Sequence, residues 1–197
     1  DPRTRERQRV AIEAARLMAA DGSLDVRQAK LKAAGRLGVH DEAALPRNAE
    51  VEDELSAYQR LFRGDAQARA LRERREAAAE AMGFLHHFEP RLVGPVLDGT
   101  ADVASPVLLQ LFAEASEDVG RFLVDAGIPA TVQSRRLRLD RERSGEFPAW
   151  VFLADGLPFE LLVLPPALLR QAPLGADDQP MARASLATLR ALLATSA

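Results

Sequence analysis

Apolar residues recur at helical spacing through the first 88 residues of the chain. Val10, Ala14 and Leu17 follow one helix face, and similar runs continue further along the sequence. Each run ends near Gly or Pro, which interrupt helices. The pattern predicts helices over residues 5–20, 25–37, 48–62 and 66–88, with breaks near Gly22, at 38–48 and near Gly64. No strand is expected before residue 88.

Capping residues support these predicted helices. Asp25 and Gln28 have the spacing of a capping box, and Gly38 follows the same helix where a C-terminal stop is expected. Asn48 is the predicted N-cap of the third helix, because Glu50 then brings negative charge to its first turn. The N-terminal part of the chain is therefore predicted to be entirely helical.

From residue 91 the pattern changes to short apolar segments separated by turn residues. Asp155-Gly156 between two such segments is a strong hairpin signal, and Ser116 is the predicted cap of a short helix. The predicted elements are strands in RLVGPVL and SPVLLQLF, a helix from 116 to 126, a strand at 131–140, a hairpin of 147–154 with 157–164, and a helix at 182–194. The sequence thus predicts an α+β fold, with a helical module at 1–64 followed by an α+β domain at 65–197 that has a small mixed sheet and flanking helices.

Composition narrows the classes of protein to consider. The 197 residues include 47% hydrophobic and 28% charged residues and no cysteine, which predicts a folded protein of a reducing compartment, the cytoplasm. No apolar run approaches the roughly 20 residues that span a bilayer, so no membrane partner is expected. The net charge of −3 is too small for nucleic-acid binding by bulk electrostatics. The preference for Arg over Lys indicates a GC-rich bacterial genome.

The order of elements after residue 65 carries a family resemblance. The segments VLDGTADVASPVLLQLFAE and GLPFELLVLPP have the order and spacing of two strands that follow a Gly-Thr turn. Residues 66–166 resemble the nucleotidyltransferase fold of the DNA polymerase β superfamily. In that fold a Gly-Ser or Gly-Gly turn precedes a strand with an Asp-x-Asp pair, and a later strand adds a third carboxylate. The whole chain also resembles an uncharacterised proteobacterial family labelled as nucleotidyltransferase-domain proteins.

The resemblance implies a nucleotide-binding turn and a catalytic carboxylate. Gly99-Thr100 matches the turn, Ser105 matches a serine that precedes the Asp-x-Asp pair, and Glu160 matches the third carboxylate. These residues are the nucleotide-binding and catalytic candidates.

The sequence departs from the family pattern at the metal ligands. Pro106 and Leu108 occupy the Asp-x-Asp positions, and neither can bind Mg²⁺. We therefore expect a nucleotidyltransferase-like pseudoenzyme that binds a protein or a nucleotide, with no cofactor firmly implied and with oligomerisation left open. One alternative is an active, Mg²⁺-dependent enzyme whose ligands are Asp98, Asp102 and Glu160. Another is that Asp98 and Asp102 only cap turns, by hydrogen-bonding their own backbone, and that Glu160 is a locally paired strand residue.

Two basic segments are candidates for nucleic-acid binding. Arg135, Arg136 and Arg138 lie on a predicted strand and would meet phosphates or RNA, although a solvated surface strand has the same appearance.

The second basic segment lies in the N-terminal helices, which loosely resemble a TetR-type DNA-binding domain and would make the protein a regulator. Its cations would contact phosphates, or simply form a solvated helix face. No zinc site is expected, because His86 and His87 are adjacent and would point about 100° apart on a helix. The cations of this segment are Arg27, Lys30, Lys32 and Arg36.

Overall fold

Helices form the N-terminal part of the chain, and a five-stranded sheet with further helices forms the rest. The structure is a computed structural model, and it describes residues 2–196. It has the predicted α+β fold. The helices are α1 (Pro2–Ala20), α2 (Val26–Leu37), α3 (Asn48–Phe84), α4 (Pro95–Asp98), α5 (Ser116–Asp125) and α6 (Leu186–Thr195), with 3₁₀ turns at Glu42–Ala44, His86–Phe88 and Pro166–Leu169.

The capping box of α2 forms as predicted. The Asp25 carboxylate accepts the Gln28 backbone N–H at 2.8 Å, and the Gln28 side-chain oxygen accepts the Asp25 N–H at 3.1 Å. Gly38 ends the helix with a φ of +69°, a conformation that glycine adopts without strain. These local signals explain why α2 has the predicted bounds.

Helix α3 corrects two predictions. The expected break near Gly64 is wrong, because the helix continues through this residue to Phe84. A helical glycine costs only about 1 kcal/mol relative to alanine, and the flanking Arg, Ala and Glu residues favour helix. Asn48 is also not the N-cap, since the Arg47 carbonyl accepts the Val51 N–H at 3.3 Å. The Asn48 side chain instead accepts a hydrogen bond from the Lys30 ammonium at 2.8 Å.

The chain divides into two compact units between Ala66 and Gln67, where the sequence placed the division between residues 64 and 65. In the first unit, α1, α2 and the start of α3 share a core of small apolar side chains. Of the helices in the described residues 2–196, none is long and apolar enough to cross a membrane. The core residues of the first unit include Val10, Ala14, Ala29, Ala33 and Val51.

The second unit is built on a mixed sheet in the order β1-β2-β5-β4-β3. Strand β2 runs parallel to β5, and the other neighbouring pairs are antiparallel. The strands are β1 (Arg91–Val93), β2 (Val107–Phe112), β3 (Thr131–Arg138), β4 (Ser144–Ala154) and β5 (Leu157–Leu164).

The β4–β5 hairpin confirms the strongest short-range signal in the sequence. Ala154 pairs with Leu157, and the two turn residues Asp155 and Gly156 have φ values of +51° and +78°. Such positive values suit a tight hairpin turn and are tolerated by Asp and Gly.

The segment RLVGPVL is only half a strand, which corrects the sequence prediction. Strand β1 ends at Val93, because Gly94 turns the chain with a φ of +74° and Pro95 then begins the short helix α4. Helix α6 likewise starts later than predicted. Ala184 exchanges backbone hydrogen bonds of 2.8 and 2.9 Å with Leu92, so the chain is extended there and turns helical only after Ser185.

The two faces of the sheet have different surroundings. One face packs against α3, α5 and α6 and forms the core of the second unit, with Phe159 and Leu161 of β5 pointing into it. The other face is partly covered by the Pro166–Leu169 turn and by Arg183. There the Arg183 guanidinium donates to the Leu168 and Leu169 carbonyls, each at 2.9 Å, and to the buried Gln110 side chain at 3.3 Å.

Candidate functional site

Glu160 lies on the sheet face that points away from the core. On β5 its neighbours Phe159 and Leu161 are buried in the core, and side chains alternate along a strand. Its Cα is paired with Leu108 of β2 on one side and with Val151 of β4 on the other. The Glu160 side chain is 19% exposed, so solvent reaches it from this face.

The Glu160 carboxylate is ion-paired with a cation of the same chain. Arg135 on β3 shares the outer face, and its Nε contacts Glu160 Oε1 across β4. The same guanidinium donates to the Gln133 side-chain oxygen at 2.6 Å and to the Ser134 carbonyl at 3.2 Å. The geometry at Glu160 is that of an ion pair rather than of an aligned hydrogen bond, because Oε1 accepts none. The one carboxylate at the centre of this face is therefore already neutralised.

Of the two positions compared with an Asp-x-Asp pair, one adjoins Glu160, and neither side chain has a metal-binding atom. Leu108 lies directly beside Glu160 in the parallel β2–β5 register, and Pro106 comes just before β2 begins. Across the described residues 2–196, no group of three or more His, Cys, Asp or Glu side chains is arranged to hold a metal ion.

Asp98 caps the turn that contains Gly99 and Thr100. Its Oδ1 accepts the Thr100 N–H at 2.9 Å and the Thr100 hydroxyl at 2.5 Å. The hydroxyl bond, followed by the backbone bond, lowers the pKa of Asp98 below its usual value. Gly99 has a φ of +90°, which a residue with a side chain rarely adopts. Turn formation thus uses the Asp98 carboxylate and the Thr100 hydroxyl.

Asp102 caps the next turn in the same way. Its Oδ1 accepts the Ala104 N–H at 2.9 Å and the Ser105 hydroxyl at 3.1 Å, while the Asp102 N–H donates to the Ser105 oxygen at 2.9 Å. The Ala104 bond is the main reason that the pKa of Asp102 is lowered, and the Ser105 side chain adds to it. The polar groups of Asp102 and Ser105 therefore bind each other and their own loop.

Two arginines of α3 hold this loop and the short helix α4 before it, and the sequence analysis missed both. Arg74 is only 4% exposed, and it donates to the Ser105 carbonyl at 2.7 Å and to the Val103 carbonyl at 2.8 Å. Arg75 donates to the Val96 carbonyl at 2.8 Å and to the Leu97 carbonyl at 3.0 Å. In the sequence these arginines lie in a charged run, RERR, that has the appearance of a solvated helix face. Their role depends on contacts with residues more than 20 positions away.

The basic cluster of β3 does not form one surface. Arg135 faces outward with Glu160, whereas Arg136 and Arg138 point to the opposite side because neighbouring strand residues alternate. Arg138 is ion-paired with Asp178, and Arg136 lies across from Glu146 on β4. The three cations that the sequence grouped together thus have three different surroundings.

Two of the four N-terminal cations have partners within the first unit. Lys30 donates to Asn48 at 2.8 Å and to the Pro46 carbonyl at 3.2 Å, and Arg36 is 3.2 Å from a Glu13 oxygen. After α2 the chain makes a single 3₁₀ turn at Glu42–Ala44 before α3 begins. In the part of the chain that the structure describes, no separate α-helix lies between α2 and α3, where a DNA-recognition helix is expected.

Comparison with known proteins adds no family assignment. No family model, no curated protein and no solved structure matched this chain.

Proposed function

We propose that the second unit is a nucleotidyltransferase-like domain that does not transfer nucleotides, and that the protein acts by binding or assembly. One observation carries this proposal. Leu108 lies beside Glu160, where the resemblance assigns two metal-binding carboxylates, and the remaining carboxylate is paired with Arg135. Two-metal transfer needs several carboxylates to hold and neutralise the cations. A guanidinium at Glu160 would also repel a metal ion at the same oxygen atoms.

The alternative of a relocated metal site has less support. It requires Asp98 and Asp102 to join Glu160 as ligands, but each aspartate accepts hydrogen bonds that close its own turn. Within residues 2–196 these three carboxylates are also not grouped where they could share a metal ion. We place the protein in the cytoplasm, a reducing compartment, because the chain has no cysteine.

A transfer assay tests the proposal directly. The purified protein is incubated with labelled nucleoside triphosphates and candidate acceptors, with Mg²⁺ or Mn²⁺, and incorporation is measured for the wild type and for Glu160→Ala. We expect both proteins to remain at background. Metal-dependent incorporation by the wild type that disappears in Glu160→Ala would contradict the proposal, and Asp98 and Asp102 would then be the next residues to replace.

A further inference from the structure

A cavity of about 490 Å³ opens on the core side of the sheet, opposite the face that carries Glu160. Helix α3, helix α5 and the β4–β5 hairpin form its walls. Its size falls within the range of about 300–1,000 Å³ that is usual for small-molecule sites. Most of the lining is apolar, and its aromatic side chains are Phe84, Phe152 and Phe159.

Aromatic rings make this cavity suitable for an apolar ligand. Phe152 and Phe159 are stacked at 5.3 Å between ring centroids and are nearly parallel. Phe84, the last residue of α3, is 47% exposed although it lines the cavity. Its ring packs against Phe122 at 5.0 Å and leaves other surface open to a ligand.

The charged groups at the cavity have a single sign. Glu80 and Asp155 line it, and no Lys, Arg or His does. Both residues are exposed. Within residues 2–196 neither carboxylate takes part in a hydrogen bond or an ion pair. This differs from Glu160 and Asp98, whose carboxylates have partners in the chain.

Two helix ends add to the negative potential. The cavity is lined by Ala81 and Phe84 from the last turn of α3, and by Leu123 and Ala126 from the end of α5. The C-terminal end of a helix carries a partial negative charge. Two helix ends and two carboxylates therefore favour a cation at this cavity, and they disfavour an anion.

We propose that this cavity binds a cationic amphiphile, that is, an organic ammonium ion with a hydrocarbon body. The hydrocarbon body would lie against Phe152 and Phe159, and the ammonium group would lie near Glu80 and Asp155. The exposed ring of Phe84 can also attract a cation to its face. The site lies on the opposite side of the sheet from Glu160, so this proposal and the proposed function can fail separately.

Three probes of eight carbon atoms each test the charge preference. Octylammonium, octanol and octanoate are titrated into the full chain by isothermal calorimetry, each below its micelle concentration. We expect octylammonium to bind about tenfold more tightly than octanol, because the two nearby carboxylates supply most of the attraction and the two helix ends add a smaller part. Octanoate should bind more weakly than octanol.

Matched variants assign the preference to the two carboxylates. In Glu80→Gln/Asp155→Asn, octylammonium should bind within about twofold of octanol, while octanol affinity stays at the wild-type value. Asparagine tolerates the positive φ of residue 155, so the hairpin turn is kept. The control Glu146→Gln removes an exposed carboxylate away from the cavity and should keep the tenfold preference.

A cavity-filling variant identifies the location. Ala81→Leu should weaken the binding of all three probes. Circular dichroism checks that this variant folds, and Ala77→Leu is used instead if Ala81→Leu does not fold. The proposal is overturned if octanol or octanoate binds the wild type as tightly as octylammonium. It is also overturned if octylammonium does not bind, or if its preference survives in the double variant.

Discussion

The carboxylates on the two sides of the sheet differ in whether they have partners in the chain. On the outer face, Glu160 is paired with Arg135, and in the neighbouring loop Asp98 and Asp102 accept hydrogen bonds from their own turns. On the core side, Glu80 and Asp155 border an apolar cavity and have no partner among residues 2–196. Charges of the first kind stabilise the fold. Charges of the second kind remain available to a ligand.

This difference shows why a carboxylate alone is a weak sign of catalysis. The sequence pointed to Glu160, Asp98 and Asp102 because they resemble metal ligands in their order along the chain. The structure shows that each is bound by groups of the same chain. Of the two acidic residues of the cavity, the sequence singled out Asp155 only as a turn residue and did not single out Glu80. Availability of the charge, rather than its presence, separates the two sites.

The largest effect is expected from the buried arginine that holds the 98–105 loop. Arg74→Ala should lower the free energy of unfolding of the second unit by about 3 kcal/mol, because two carbonyls lose charged donors and buried space opens. Urea unfolding followed by the fluorescence of Trp150, the single tryptophan, measures this. The control Arg69→Ala removes an exposed arginine of the same helix. It should change the free energy of unfolding by less than about 0.5 kcal/mol. A small effect at Arg74 would show that the loop does not depend on it.

A smaller effect is expected at the outer face. A double-mutant cycle of Arg135→Ala and Glu160→Ala should give a coupling free energy of about 1 kcal/mol, because the pair is partly exposed and is screened by water. The same urea unfolding assay measures the stability of each variant. The coupling free energy should decrease at high salt, because salt screens the ion pair. Glu80→Ala should leave stability nearly unchanged, since its carboxylate has no partner to lose. A coupling free energy of zero would show that Arg135 does not stabilise Glu160, which would then resemble the unpaired carboxylates of the cavity.

The smallest change in stability is expected from replacing Asp98 and Asp102, and it should appear at acid pH. The pKa values of Asp98 and Asp102 are lowered in the folded protein, so their contribution is complete above the unfolded range near pH 4. It is lost as the pH falls through the lower folded values. Stability should therefore decrease less between about pH 5 and pH 2 in Asp98→Asn/Asp102→Asn than in the wild type. If the stability of the double variant falls with acid as steeply as that of the wild type, the capping role is refuted.

Local sequence chemistry was enough to predict several elements. The capping box of α2 depends on Asp25 and Gln28, three residues apart, and the hairpin depends on two adjacent residues, Asp155 and Gly156. Both signals act over short distances along the chain, so they can be recognised without the fold. The same local reasoning overestimated the helix-breaking effect of Gly64, because the helix-forming residues around it outweigh one glycine.

The sequence by itself determined the α+β fold class, the helical N-terminal part and most strands. Only the tertiary structure decided which charged side chains are paired with other groups of the chain. Arg74 reaches Ser105 across 31 positions, and Arg135 reaches Glu160 across an intervening strand. The cavity needs side chains from α3, α5 and the hairpin together. Whether a charge is paired depends on partners that are brought together by folding, because electrostatic contacts act through space and not along the chain.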